Sequence, residues 1–207
     1  MLKQSSLKNT IALAGVTGLL LLGAQPSQAS LIVAAPSFSA AGASGNFDIT
    51  LQNTGASAVA IGGFSFAIST SNAGITFTAV STSTSLAYIF VGHSLIGPDI
   101  SISTGTTLSA SDSPDTLPAP INVAAGATVG LGHITYKIAN NVASGNNVIT
   151  LSAFPATSLS DAAGGNIVIN TLRNGNITVV PEPRTLLLFP AALGMIGFAR
   201  RKLVSRR

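Results

Sequence analysis

Ser94 sits in Gly92-His93-Ser94-Leu95-Ile96-Gly97, one residue away from the G-x-S-x-G spacing in which two glycines permit the strained turn that exposes a nucleophilic serine. Asp112 or Asp115 and then His133 follow in the chain order Ser, Asp, His that would complete a hydrolase triad. Ile96 occupies the second glycine position and no helical pattern follows, so the strand–turn–helix context of such an elbow is missing. His133 lies on the strand face opposite Ile134, Tyr136 and Ile138, beside Thr135 and Lys137, and reads as a solvated strand histidine. With only His93 for company and no cysteine in the chain, a transition-metal site lacks ligands. Asp112 and Asp115 offer oxygens toward calcium, but their spacing matches no calcium loop and acidic loops are usually just solvated. Gly126 through Gly132 lack the Lys-Ser/Thr of a phosphate loop and read as turns or bulges. Aromatic residues make up 5% of the chain and form no sugar-stacking cluster. The sequence therefore predicts no catalytic residue, metal or cofactor.

The absence of cysteine also excludes disulfide scaffolds and thiol nucleophiles. The net charge of +4 over 207 residues suggests nucleic acid until the positions are read. Lys3 and Lys8 lie at one end, and Arg184, Arg200, Arg201, Lys202, Arg206 and Arg207 at the other. Residues 30–180 hold only Lys137 and Arg173 against five aspartates, a net charge of −3, which leaves no cationic surface for a phosphate backbone.

Both ends read as targeting segments. A basic start, a fourteen-residue apolar run from Ile11 to Ala24, and the break QPSQA form a signal peptide over 1–29, with Ser27 and Ala29 as the small residues that direct cleavage between Ala29 and Ser30. An uncleaved anchor is disfavoured because a stable span needs about 20 apolar residues. At the other end, Leu186–Ala199 is followed at once by Arg200, Arg201 and Lys202, the polarity of a segment whose C-terminus stays cytoplasmic. Counted from Thr185, it gives a predicted short transmembrane helix over 185–199 and a basic cluster over 200–207. At ~1.5 Å per residue such a helix covers roughly 22 Å of a ~30 Å hydrocarbon core, a marginal permanent anchor.

Pro181-Glu182-Pro183, a short apolar segment and a terminal arginine cluster together resemble the PEP-CTERM sorting domain of envelope-bearing bacteria. The resemblance implies a sorting tail over 181–207, recognised at Pro181, Glu182 and Pro183 by an exosortase-type membrane enzyme, with Arg200, Arg201 and Lys202 fixing topology. The physical reading agrees. Two prolines fix φ near −65°, remove two backbone donors and disfavour helix at Val180 and Glu182, so an extended, unpaired segment is presented for processing. A plain linker before a plain tail anchor is the competing reading.

Between the ends, period-two alternation dominates. Phe47, Ile49 and Leu51 alternate with Asp48, Thr50 and Gln52, and Phe64, Phe66 and Ile68 with Ser65, Ala67 and Ser69. ITFTA, DISIS, GHITYKI, NVITLSAF, NIVIN and NITVV repeat the pattern, while LIVAAPSF and LAYIFVG are apolar runs without clean alternation. This predicts an all-β, antiparallel, jelly-roll-like β-sandwich of about nine strands over 30–180, with a hairpin closed at Asn174-Gly175 and a surface loop over Asp112–Pro120. GNFDITLQNTGASAVAIGGFSFAIS, VAAGATVGLGHITYKI and NGNITV resemble the strands of cohesin domains. That likeness implies a module that binds dockerin partners, with no contact residue assigned by it.

Three functions follow in order. The first is a non-enzymatic structural or adhesive protein, exported through signal peptidase, held transiently at the inner membrane, and sorted to the cell surface or an exopolysaccharide matrix. The alternative is a cohesin-like module recognising a protein or polysaccharide ligand, and the third is an envelope hydrolase. No nucleic-acid partner is expected.

Overall fold

The computed structural model describes residues 30–115 and 120–180. The expected signal peptide with Ala29, the expected sorting motif Pro181, Glu182 and Pro183, the apolar segment 185–199, and Arg200, Arg201 and Lys202 lie outside the described residues. No helix among the described residues is long and apolar enough to cross a membrane.

The chain forms fifteen strands among the described residues: β1 (Leu31–Ala34), β2 (Ser37–Ala40), β3 (Ser44–Asn53), β4 (Val59–Ile61), β5 (Gly63–Thr70), β6 (Ile75–Ser81), β7 (Asp99–Ser103), β8 (Thr107–Asp112), β9 (Ile121–Val123), β10 (Thr128–Ile138), β11 (Gly145–Leu151), β12 (Ser158–Ser160), β13 (Asn166–Ile167), β14 (Thr171–Arg173) and β15 (Gly175–Val179). One sheet runs β14-β1-β3-β10-β6. The other centres on β5, which pairs with β8 and then β7 on one side, and with β11 and β12 in succession on the other; β11 leads on to β15 and β2, and β12 to β13. A small β4-β9 ladder closes one end.

The expected sandwich is present, and its alternation is the expected one. Phe47, Ile49 and Leu51 of β3 are buried while Asp48, Thr50 and Gln52 are half-exposed, and Ile134, Tyr136 and Ile138 of β10 are buried opposite His133, Thr135 and Lys137. Phe66 and Ile68 of β5 face them across one continuous core that also takes in Phe77, Leu108 and Ile149. Each such side chain contributes about 1.5–3 kcal/mol relative to leaving it in water. Among the described residues the buried core runs from Leu31 to Ile177, so residues 30–180 hold a continuous hydrophobic core of their own. The register of β10 on β3 slips between Gly130 and Gly132, which is the bulge foreseen in the glycine-rich stretch.

Several expectations need correction. The count of nine strands falls short because β4, β9, β12 and β14 are only three residues each, too short to show a period. The strand β8 is six residues long but was hidden by its composition, with Leu108 and Ala110 its only apolar residues, so Asp112 ends a strand instead of opening a loop. The sandwich is not purely antiparallel, since β1 runs parallel to β14 and β2 parallel to β15. LAYIFVG is no strand: Tyr88, Ile89 and Phe90 are buried in consecutive turns closed by Val91 N–H to Tyr88 O and His93 N–H to Phe90 O.

A further correction concerns Asn174-Gly175, which closes no hairpin. β14 belongs to one sheet and β15 to the other, so the chain changes sheets at this dipeptide. Ala35-Pro36 does the same between β1 and β2, directly alongside: Ala35 N–H donates to Arg173 O at 2.9 Å, and Asn176 N–H to Pro36 O at 3.0 Å. Gly175 is buried at the crossing, where an added Cβ would lie 2.1 Å from Pro36 O. Close approach of two backbones, not a left-handed turn, is what demands glycine here.

The registers also define two ends. Gly63, Asp112 and Asn53 lie at one end, with the connection 82–98; Thr70, Gly105, Gly145 and Val179 lie at the other, from which the chain continues past Val180.

Candidate functional site

Ser94, Asp112 and His133, which stand in triad order along the chain, are divided between two sites. Alternation along β8 turns Leu108, Ala110 and Asp112 inward, so Asp112 is a buried carboxyl at the rim of the core. Tyr88 O–H donates to its Oδ2, Ser94 O–H donates to the same oxygen at 2.5 Å, and Ser113 N–H donates to Oδ1 at 2.8 Å. Ser94 Oγ in turn accepts Gly97 N–H at 2.8 Å. Backbone bonds continue the seam, Leu95 N–H to Ser113 O at 3.2 Å and Asp115 N–H to His93 O at 2.6 Å. The Tyr88 ring packs edge-on to Phe64 and Phe90, whose own rings stack with centroids 5.7 Å apart. Burial, and then the Asp112 carboxyl, push the Tyr88 phenol far above its ordinary range, which keeps it a neutral donor.

His133 stands on the outer face of the five-stranded sheet, with Nδ1 2.6 Å from Asp48 Oδ1, while Ser85 N–H donates to Asp48 Oδ2 at 2.7 Å. Burial alone would raise the Asp48 carboxyl, but the Ser85 N–H and the His133 ring outweigh it and hold the group below the ordinary carboxylate value. The expected solvated histidine is therefore a paired one. Asp48 escaped the sequence reading because the β3–β10 register, which places it opposite His133, joins positions 85 residues apart.

Ser94 thus gives its proton to a carboxyl and not to an imidazole, while His133 pairs with Asp48 and His93 lies beside Asp115, so the serine–histidine bond of a nucleophilic serine is not formed. The hydrolase reading is overturned by these pairings. The calcium reading of Asp112 and Asp115 fails likewise: Asp112 points into the core with its oxygens engaged, and Asp115 sits outside beside His93, 3.9 Å from its Nδ1. Asp112 is instead a rivet that fastens the 86–97 connection to the end of β8.

The Asp48 pair makes a pH prediction. Because the folded group is held below its unfolded value of 3.8, its contribution is present above about pH 4 and is lost as pH falls through the lower folded value. Asp48→Asn is expected to cost about 1 kcal/mol near neutral pH, the worth of a half-exposed charge-assisted bond. The deficit relative to wild type should shrink below pH 4 in urea titrations; an unchanged deficit from pH 7 to pH 3 contradicts it.

Among the described residues, three surfaces stand out for contact with another molecule. The outer face of the eight-stranded sheet carries small hydroxyls, Ser65 and Ser69 of β5, Thr107, Ser109 and Ser111 of β8 and Thr150 of β11, with Val148 half-exposed among them and no charge at these positions. A groove of about 290 Å³ runs between Phe154 and Val168 at the β13–β14 side. At the Asp112 end, Val91, Leu95 and Ile96 are exposed to 68%, 61% and 76%.

No family model and no curated protein matches this chain, so the likeness of residues 181–207 to a sorting tail rests on their sequence pattern. Solved structures do match. CaCohA2 of Clostridium acetobutylicum, in its complex with a variant of CaDoc0917, superposes with a TM-score of 0.58 at 20% identity, over 73% of this chain and 100% of that one. The sandwich is cohesin-like. The seventh ScaB type I cohesin of Pseudobacteroides cellulosolvens gives a TM-score of 0.55 at 14% identity over 74% and 94%. The sixth cohesin of Acetivibrio cellulolyticus scaffoldin B, in complex with a Cel5 dockerin, gives 0.55 at 13% over 73% and 99%. At these identities the likeness is one of fold.

Proposed function

We propose that this chain is an exported, non-enzymatic, cohesin-like module that recognises a protein partner. The carrying observation is that the sandwich accounts for 94–100% of each of these cohesin chains, two of them seen bound to a partner. That favours a binding module over the structural or adhesive reading. The hydroxyl face of the eight-stranded sheet supports it further, because small uncharged side chains let a partner approach without stripping water from buried charges. Immobilised residues 30–180 should bind one member of a dockerin panel saturably, with Kd below about 10 μM. Ser109→Arg, in the middle of that face, should weaken it at least 10-fold. A panel with no member binding below 100 μM overturns the reading.

Export is the second part of the proposal, supported by the order of segments at the two ends. Signal peptidase would leave Ser30 as the mature N-terminus, and peptide mass mapping that finds residues 11–24 in mature protein contradicts this. Replacing Pro181, Glu182 and Pro183 by alanine is expected to leave export and insertion intact and to trap the full-length chain in the inner membrane. Equal size and equal membrane retention of wild type and triple variant on fractionation end the exosortase proposal, because a simple tail anchor is indifferent to residues outside its span.

A further inference from the structure

The 91–97 part of the connection holds three aliphatic side chains in water, Val91, Leu95 and Ile96, each more exposed than Leu86 at its start. Two glycines with positive φ, Gly92 at 74° and Gly97 at 82°, bracket its tip. Inside the bracket, Ser94 is turned in to the Asp112 carboxyl, so its neighbours Leu95 and Ile96 are turned out. With Val91 they give roughly 300 Å² of aliphatic surface, the size of patch that on a monomer is often functional. The tip is fixed, not floppy: the Tyr88, Ser94 and Ser113 bonds to Asp112 and the pairing of 93–95 with 113–115 hold it before any partner arrives, which lowers the ordering cost of binding.

Its surroundings select the partner. The exposed Asp115 carboxyl lies beside His93 within the tip, 3.9 Å from its Nδ1, and exposed Asp99 begins β7 two residues after Gly97, so two acidic residues adjoin the tip along the chain and across its pairing with 113–115. The two cations of the body, Lys137 and Arg173, lie on strands of the other sheet. An acidic border in a body of net charge −3 disfavours an anionic bilayer. A second copy is disfavoured too, since it would set Asp99 and Asp115 against themselves, and the patch falls well short of the ~800 Å² per partner of a stable dimer.

We propose that the Val91, Leu95 and Ile96 tip docks an amphipathic helix of a protein partner, whose apolar stripe is bordered by Lys or Arg that meet Asp99 and Asp115. This deepens the module reading and rests on it, but it concerns a surface at the end of the sandwich, away from the hydroxyl sheet face. The partner's apolar stripe covers the aliphatic tip and its basic borders set orientation and salt dependence.

The test uses residues 30–180 and an 18-residue Leu/Lys amphipathic peptide, with its Leu/Glu counterpart as control. The expected result is saturable binding of the Leu/Lys peptide at least 10-fold tighter than the Leu/Glu peptide. The double variant Leu95→Ser, Ile96→Ser should lower that affinity at least 10-fold with an unchanged circular dichroism spectrum and Tm. Ile96→Ser alone, at the most exposed position, serves if the double variant unfolds and should lower it at least 3-fold. Asp99→Asn with Asp115→Asn should flatten the salt dependence. Peptide binding that survives the serine variants overturns the proposal. So does lipid binding, read as co-sedimentation with phosphatidylcholine–phosphatidylglycerol vesicles that the variants abolish while no peptide binds, and so does self-association, read as a dimer in sedimentation equilibrium that they abolish. Peptide binding lost in Ser109→Arg but kept in the tip variants also overturns it, while leaving the module reading standing; dockerin binding lost across the panel with tip-dependent peptide binding kept would do the reverse.

Discussion

Gly175→Ala is expected to cost about 3 kcal/mol or more, at the upper end of what overpacking does, because nothing near the new methyl is able to give. Its Cβ would lie 2.1 Å from Pro36 O and 2.9 Å from the carbonyl carbons of Ala35 and Pro36, all of them backbone atoms. Those atoms belong to the neighbouring chain crossing, which is itself tied by Ala35 N–H to Arg173 O and Asn176 N–H to Pro36 O. Relief therefore requires pulling β1 away from β14 or β2 away from β15, and each loses a parallel ladder. For a body of this size the loss corresponds to a Tm lower by roughly 6–12 °C. A hairpin at the same dipeptide would behave otherwise, since an alanine there meets a dihedral penalty of about 1–2 kcal/mol and no clash. Urea unfolding of residues 30–180 separates the two: a loss of about 1 kcal/mol argues for a turn, and a loss of about 3 kcal/mol with an unchanged m-value argues for the crossing.

Asn174-Gly175 also shows where sequence stops being legible. The alternation of β3, β5 and β10 was readable because each strand has one face in the core and one in water, so burial is printed on the chain with period two. Which strand lies beside which is not printed anywhere local. The same dipeptide serves a hairpin or a change of sheet, and the choice is made by Pro36, far away in sequence, whose carbonyl lies against Gly175. Tyr88, Ile89 and Phe90 were equally opaque, because a run of buried residues has no period whether it is a strand or a turn packed under a loop. The side-chain pairings were hidden for the same reason, although the expectation of no catalytic residue did not depend on them. Ser94, Asp112 and His133 stand in a suggestive order, yet pairing is decided by register, which gives Ser94 to Asp112 and His133 to Asp48.

Removing the Asp112 carboxyl should have the second large effect, and its shape distinguishes a rivet from a catalytic acid. Asp112→Ala leaves the Tyr88 hydroxyl buried without an acceptor and frees Ser94, two losses that together put the expected cost at about 3 kcal/mol. Asp112→Asn keeps an acceptor oxygen and should cost about half as much, as should Tyr88→Phe. The double variant Asp112→Ala, Tyr88→Phe should cost less than the sum of its parts by about 1–2 kcal/mol, since the second change removes the very group the first leaves unpaired. The phenol adds a pH signature. Its folded value is raised above the ordinary 10.0, so its contribution is complete below about pH 10 and lost as pH rises beyond it. Tyr88→Phe should therefore reduce the alkaline loss of stability, without abolishing it, because burial raises Tyr136 as well. Hydrogen exchange at residues 91–97 should quicken in Asp112→Ala well before the sheets open, since that connection is what the carboxyl fastens. An Asp112→Ala chain of wild-type stability, with exchange at 91–97 unchanged, would mean that the tip is held by its backbone pairing with 113–115 alone.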